Sequence, residues 1–243
     1  MSKLGKIIIY PAIDLYEGKA VRLQRGDYEQ MTVYSDDPLS VALGFKKEGA
    51  TSLHMVDLEG ARDGKPANFN TIEKIASGSG LFIQVGGGIR SQEIIDKYLS
   101  AGVKRVILGT AAVSQKGFLK EMVGTYGDAI AVSVDIKDGL VAIKGWTETS
   151  DMEAINFCET VESIGVQTVI CTDISKDGML SGTNMELYQT LRSKLSIGLI
   201  ASGGVTSTEE IIKLSDLGMN GAILGKALYT GDIDLAKAVK LCQ

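Results

Sequence analysis

Four aspartates, Asp14, Asp57, Asp135 and Asp173, each close an apolar run, and a fifth, Asp177, stands in the segment after Asp173. A carboxylate at the end of a buried strand loses hydration, a cost met only by a partner or by work in a site. Paired carboxylates whose surroundings push their pKa values apart perform general acid–base catalysis. Strand-end aspartates also cap helices and anchor loops. Asp14 and Asp135 are expected to do the chemistry, with Asp177 as a third candidate; Asp57 and Asp173 are expected to tie loops together.

Glycines mark a second kind of chemistry. Gly87-Gly88, Gly109-Thr110, Gly203-Gly204 and Gly225-Lys226 each follow an apolar run. Glycine lets backbone N–H groups come close to an anion, and a helix N-terminus behind them adds favourable partial charge. Two such clusters suggest a ligand with a phosphate at each end. Arg22 lies in an alternating segment, Lys19–Leu23, and could reach a phosphate or decorate a hairpin. Trp146, the only tryptophan, could plug a loop or stack on a planar heterocycle. His54 and Cys171 are expected to be structural.

Composition narrows the field. With one histidine, no two-histidine metal site can form. A serine triad would lack its G-x-S-x-G. Three scattered cysteines suit a reducing cytoplasm rather than a disulfide framework. No apolar run reaches the ~18 residues of a membrane span, and Met1–Lys6 is too short for a signal peptide. A net charge of −5 gives no basic footprint for nucleic acid.

Eight apolar runs position these groups: 7–13, 52–56, 81–85, 104–108, 129–134, 167–171, 197–201 and 221–224. Helix-like stretches follow at 39–49, 69–77, 91–101, 115–124, 151–164, 185–194, 207–217 and 233–241. Units of about 30 residues are the size of a βα repeat. Runs so continuously apolar are buried on both faces, as in parallel sheets. The expectation is one α/β domain over residues 1–243, a (β/α)8 TIM barrel, with its active site at the C-terminal strand ends. Gln84–Ser91 resembles Ile200–Ser207 at an offset of 116 residues (87 to 203). Val106–Gly109 matches Ala222–Gly225, and Asp57 matches Asp173, at the same offset. Asp14 pairs with Asp135 at an offset of 121 (14 to 135). Two fused half-barrels, about 1–124 and 125–243, would explain the repeat.

The motifs Pro11–Leu15, His54–Ala61, Gly86–Arg90, Lys144–Trp146, Thr172–Gly178, Ser202–Val205 and Gly225–Tyr229 carry a resemblance running from about Ile7 to Tyr229. The chain resembles the phosphoribosylformimino-5-aminoimidazole carboxamide ribotide isomerases of histidine biosynthesis. The resemblance implies an Amadori rearrangement of an aminoaldose to its ketose, without metal or cofactor. Asp14 would be the base, Asp135 the first choice for the acid, Asp177 its rival, and Thr172 an orienting group. Ser202 and Lys144 join Arg22, Trp146 and the glycine clusters in the expected binding set. A bis-phosphorylated substrate, a monomer, and no nucleic-acid or membrane partner are expected. The cyclase subunit of imidazole glycerol phosphate synthase is the related alternative. It typically carries Cys-Leu-Asp-Val where this chain has Ala12–Leu15, and lacks Lys-Gly-Trp in this form. A dual isomerase also serving tryptophan biosynthesis is a further alternative. The sixth loop departs from the family at Lys176, Met179 and Thr183, which flank the Asp177 position and leave it intact, and Lys226 stands where arginine is commoner.

Overall fold

Each apolar run becomes a parallel stave. The computed structural model describes residues 7–24 and 26–242; Met1–Lys6, considered above for a signal peptide, lie outside the described residues. The strands are β1 (Ile8–Tyr16), β2 (Lys19–Gln24), β3 (Asp27–Ser35), β4 (Ser52–Asp57), β5 (Phe82–Gly86), β6 (Arg105–Leu108), β7 (Ile130–Lys137), β8 (Leu140–Ile143), β9 (Glu148–Glu153), β10 (Thr168–Asp173), β11 (Gly198–Ser202) and β12 (Gly221–Leu224). Eight of them pair in parallel in the order β1, β4, β5, β6, β7, β10, β11, β12, and β12 returns to β1. The sheet therefore closes into a barrel with no free edge.

The connecting helices are α1 (Pro38–Lys47), α2 (Leu58–Asp63), α3 (Phe69–Ser79), α4 (Gln92–Ser100), α5 (Thr110–Ser114), α6 (Phe118–Tyr126), α7 (Ala154–Ile164), α8 (Met185–Lys194), α9 (Thr208–Asp216), α10 (Lys226–Tyr229) and α11 (Leu235–Leu241). Their apolar stripes face the outside of the barrel. In α9, Ile211, Leu214 and Ser215 are buried, at helical spacing. Its start is fixed by a capping box, the Ser207 side chain taking the Glu210 amide while the Glu210 carboxylate takes the Ser207 amide. Inside the barrel a smaller core, including Tyr10, Ala12, Ile107, Ala131, Ile170 and Ile200, fills the lower levels.

Several segments differ from their sequence reading. Residues 151–153 belong to β9 rather than to the following helix. The long connections after β1 and β7 are antiparallel hairpins, β2–β3 and β8–β9. β3 is largely exposed and β9 mostly so, and neither has the run of apolar residues that marks a stave. Short helices α2, α5 and α10, too brief for a periodic signal, were also not anticipated.

Positions related by the 116-residue offset adopt matching backbones. Gly87 and Gly88 (φ 105° and 74°) correspond to Gly203 and Gly204 (91° and 79°). Gly109 (φ −106°, ψ −103°) corresponds to Gly225 (−104°, −109°). The glycines have a steric reason: a Cβ on Gly87 would lie 2.2 Å from the Asp57 carbonyl oxygen, and one on Gly203 would lie 2.6 Å from that of Asp173.

Asp57 and Asp173 serve as loop anchors. Asp57 is fully buried and accepts from the amides of Gly60, Ala67 and Asn68 and from Asn68 Nδ2, at 2.8–2.9 Å. Asp173 accepts from the Ser175 amide and hydroxyl and from Asn184 Nδ2. Asp57→Ala would strand several buried donors at once. We expect a loss of about 3 kcal/mol or more of folding stability, read as a fall in Cm with unchanged m in urea unfolding.

Candidate active site

Strand periodicity decides which side chains reach the mouth. On β1, Ala12 and Asp14 point inward; on β7, Ser133 and Asp135; on β10, Ile170 and Thr172. They line a cavity of about 210 Å³ at the C-terminal ends of the staves. Every expected site residue lies in its lining except Lys144, which the structure places elsewhere. The Lys144 ammonium pairs with Glu148 at 2.8 Å on the surface, and its backbone amide donates to Thr110 Oγ1. The charged end of Lys144 follows the exposed hairpin, where an i,i+4 partner is at hand.

The carboxylates stand close enough to influence one another. Arg22, on β2, donates from Nη1 to Asp14 Oδ2 at 2.9 Å, with both side chains largely buried. Antiparallel pairing of β2 with β1 keeps the two residues on neighbouring strands, with Val21 opposite Asp14 and Arg22 the next residue along. Burial pushes the Asp14 carboxyl up to about 6, against the opposing pull of Arg22 and with a smaller push from Asp177. Burial also raises Asp135, partly offset by hydrogen bonds from Trp146 and Thr172, and Asp177 repels its charge. Asp177 is raised by burial and drawn back by Arg22.

The glycine clusters lie on opposite sides of the mouth. Gly87-Gly88 and Gly109-Thr110 follow β5 and β6; Gly203-Gly204 and Gly225-Lys226 follow β11 and β12, four staves round the barrel. α5 and α10 begin at Gly109 and Gly225 without a side-chain cap, leaving their first amides for an anion. Arg22 lies directly against Gly225, where a Cβ would fall 2.0 Å from Nη2. The Lys226 ammonium donates to the Gly178 carbonyl at 3.0 Å, tying the loop that carries Asp177 to this cluster.

Trp146 sits at the tip of the β8–β9 hairpin, where Lys144, Gly145 and Trp146 take φ values of 54°, 62° and 70°. Its ring packs on Gly26 in the β2–β3 turn, 2.7 Å from where a Cβ would be. The two hairpins thus meet over the mouth.

Among the lining residues that sequence reasoning missed, three bear on the site. Ser133 stands two before Asp135, so period two alone assigns it to the same face. Arg90 ends the Gly86–Arg90 motif and packs over Gly64. His54 was expected to be structural. It does hydrogen-bond to Gln84, yet it also faces the cavity.

Fold and site together define a βα-barrel enzyme whose mouth carries two opposed glycine-built strand-end loops with acidic groups between them. The chain belongs to the histidine biosynthesis protein family, which matches residues 8–234. It is 52% identical over 235 residues to the 1-(5-phosphoribosyl)-5-((5-phosphoribosylamino)methylideneamino)imidazole-4-carboxamide isomerase of Brachyspira hyodysenteriae, covering 97% of this chain and 99% of that one. The protein of the same name from Oceanobacillus iheyensis is 50% identical, over 94% of this chain and 95% of its own length. That of Ruminiclostridium cellulolyticum is 48% identical, over 96% and 99%. These relatives carry the isomerase name and not that of the cyclase.

Proposed function

We infer that this chain isomerises phosphoribosylformimino-5-aminoimidazole carboxamide ribotide to its phosphoribulosyl form, an intramolecular aldose–ketose conversion in histidine biosynthesis. The carrying observation is the placement of Asp14 and Asp135 in one cavity between two opposed anion cradles. A ligand with a phosphate at each end would be held by both cradles, with the sugar to be rearranged over the carboxylates.

In this reading Asp135 protonates the ring oxygen, the C1–O bond breaks, and a Schiff base forms. Asp14 removes the C2 proton to give an enolamine; a proton returned to C1, with loss of the 2-hydroxyl proton as the C2 carbonyl forms, completes the ketose. Thr172 holds Asp135 in place, and Trp146 stacks over the substrate from the hairpin tip. The reaction moves protons only, so it calls for neither metal nor redox cofactor. The chain is read as a monomer of two half-barrels divided near residue 124, a division that rests on the 116-residue repeat. Among the described residues no helix is long and apolar enough to cross a membrane; the three cysteines are free thiols, which supports reading the chain as an enzyme of a reducing cytoplasm. The deciding experiment is turnover of the purified chain with this ribotide and, in parallel, with phosphoribosyl anthranilate. Conversion of the first alone supports the reading; conversion of neither ends it; conversion of both makes the chain a dual isomerase.

A base must be ionised to work. With Asp14 held at about 6, kcat/KM should rise with pH through about 6 as Asp14 ionises, and fall again once Asp135 loses the proton it donates. Arg22 lowers the Asp14 pKa, so Arg22→Gln should move this limb to higher pH, as well as weaken phosphate binding at Gly225. A pH–rate profile of both proteins checks the direction.

A further inference from the structure

The barrel interior carries one polar ladder that the acid–base chemistry leaves unused. His54, Gln84 and Arg105 stand at one level on neighbouring staves. His54 pairs with Gln84 across β4 and β5, and Gln84 with Arg105 across β5 and β6. Arg105 donates from Nη1 to Gln84 Oε1 at 3.2 Å. With its oxygen so occupied, Gln84 turns Nε2 toward His54 Nδ1, at 3.1 Å. An amide nitrogen has only protons to offer. Nδ1 is therefore the acceptor, and the ring proton sits on Nε2. His54 lines the cavity one level below Asp14, since β1 and β4 pair Ala12 with His54 and Asp14 with Val56. Burial, with a smaller push from Arg22, lowers the imidazole pKa to about 3, so the ring is neutral at ordinary pH.

The 116-residue offset supplies an internal control. The equivalent level of the other half is Ile170, Ile200 and Gly221, paired across β10, β11 and β12 in the same way. The barrel builds that level without a polar ladder, so packing alone does not demand one on β4–β6.

We propose that Arg105 and Gln84 are positioning residues that fix His54 as an Nε2–H donor on the cavity floor, where it holds an oxygen of the sugar being isomerised. The identity of that ligand rests on the isomerase reading above; the tautomer does not. A neutral imidazole donates to a substrate oxygen without taking part in proton exchange, a role compatible with the carboxylates above it.

The chain has one histidine, so an untagged, nitrogen-15-labelled sample gives an imidazole spectrum of His54 alone. The expected ligand-free spectrum shows a protonated Nε2 and a bare Nδ1 from about pH 5 to 8. Gln84→Glu sets an acceptor against Nδ1; the spectrum should gain an Nδ1 proton, and kcat/KM should fall about tenfold. His54→Gln, whose amide nitrogen reaches the same point, should retain most of kcat/KM. Folded His54→Leu should lose about tenfold, through KM more than kcat. A protonated Nδ1 in the unaltered chain overturns the proposal, as does full kcat/KM in folded His54→Leu. Should His54→Leu not fold, the Gln84→Glu spectrum and kinetics decide. An unaltered chain that shows the Nε2–H ring but turns over no ribotide refutes the isomerase reading and leaves the tautomer assignment standing.

Discussion

Asp14→Asn should lower kcat by roughly 10²–10⁴-fold while leaving KM within a small factor. The substitution is nearly isosteric, and the amide oxygen can still accept from Arg22, which reaches Asp14 Oδ2 at 2.9 Å. The glycine loops follow β5, β6, β11 and β12, and an asparagine that still holds Arg22 leaves that side chain against Gly225. What disappears is an oxygen able to take a proton. The acidic limb near pH 6 should vanish with it, because the group that titrates there is gone. Single-turnover rates and a pH profile would show both effects. Near-normal turnover would remove Asp14 from the role of base.

Asp135→Asn should cost a comparable roughly 10²–10⁴-fold in kcat, and its loss separates two candidate acids. Asp135 is set on a stave, is raised by burial, and is held by Trp146 and Thr172. A carboxyl so raised keeps more of its protonated form near neutral pH, which a proton donor needs. Asp177 is raised too, but it sits on the loop after β10, its amide bonded back to the Asp173 carbonyl at 3.2 Å, with Arg22 favouring its ionised form. Asp177→Asn should therefore fall less in kcat than Asp135→Asn. It should also lower the pKa of Asp14, because Asp177 repels that charge. The acidic limb would then move to lower pH. A larger kcat loss for Asp177→Asn than for Asp135→Asn would exchange the two roles.

The eight staves and their helices were legible because each buried stave is a continuous apolar run and each helix carries a helical stripe. Boundaries slipped by a few residues at most, as at β1, where the strand extends through Asp14 to Tyr16. The hairpins were not legible. β3 reads Asp-Tyr-Glu-Gln-Met-Thr-Val-Tyr-Ser and is mostly exposed, so no burial pattern advertises it. It pairs with β2, the strand that carries Arg22. Asp14 and Asp135 were legible as polar ends of apolar strands, a placement whose desolvation cost needs a reason. Lys144, expected in the binding set, lies outside the cavity lining, because adjacency to Trp146 in sequence says nothing about the direction of a long exposed side chain. The polar ladder was hidden for another reason: His54, Gln84 and Arg105 lie far apart in the chain, and only strand register brings them to one level.

The close approach of Gly87 to the Asp57 carbonyl, and of Gly203 to that of Asp173, means that each cradle takes its shape from the stave next to it. Each end of the mouth is then a self-contained module, with its own anchor, its own glycine wedge and its own uncapped helix. A fault in one should spoil the grip on one phosphate and spare the other. Such modularity lets a single barrel change what it accepts at one end of a substrate while the opposite end, and the acids between, stay as they are.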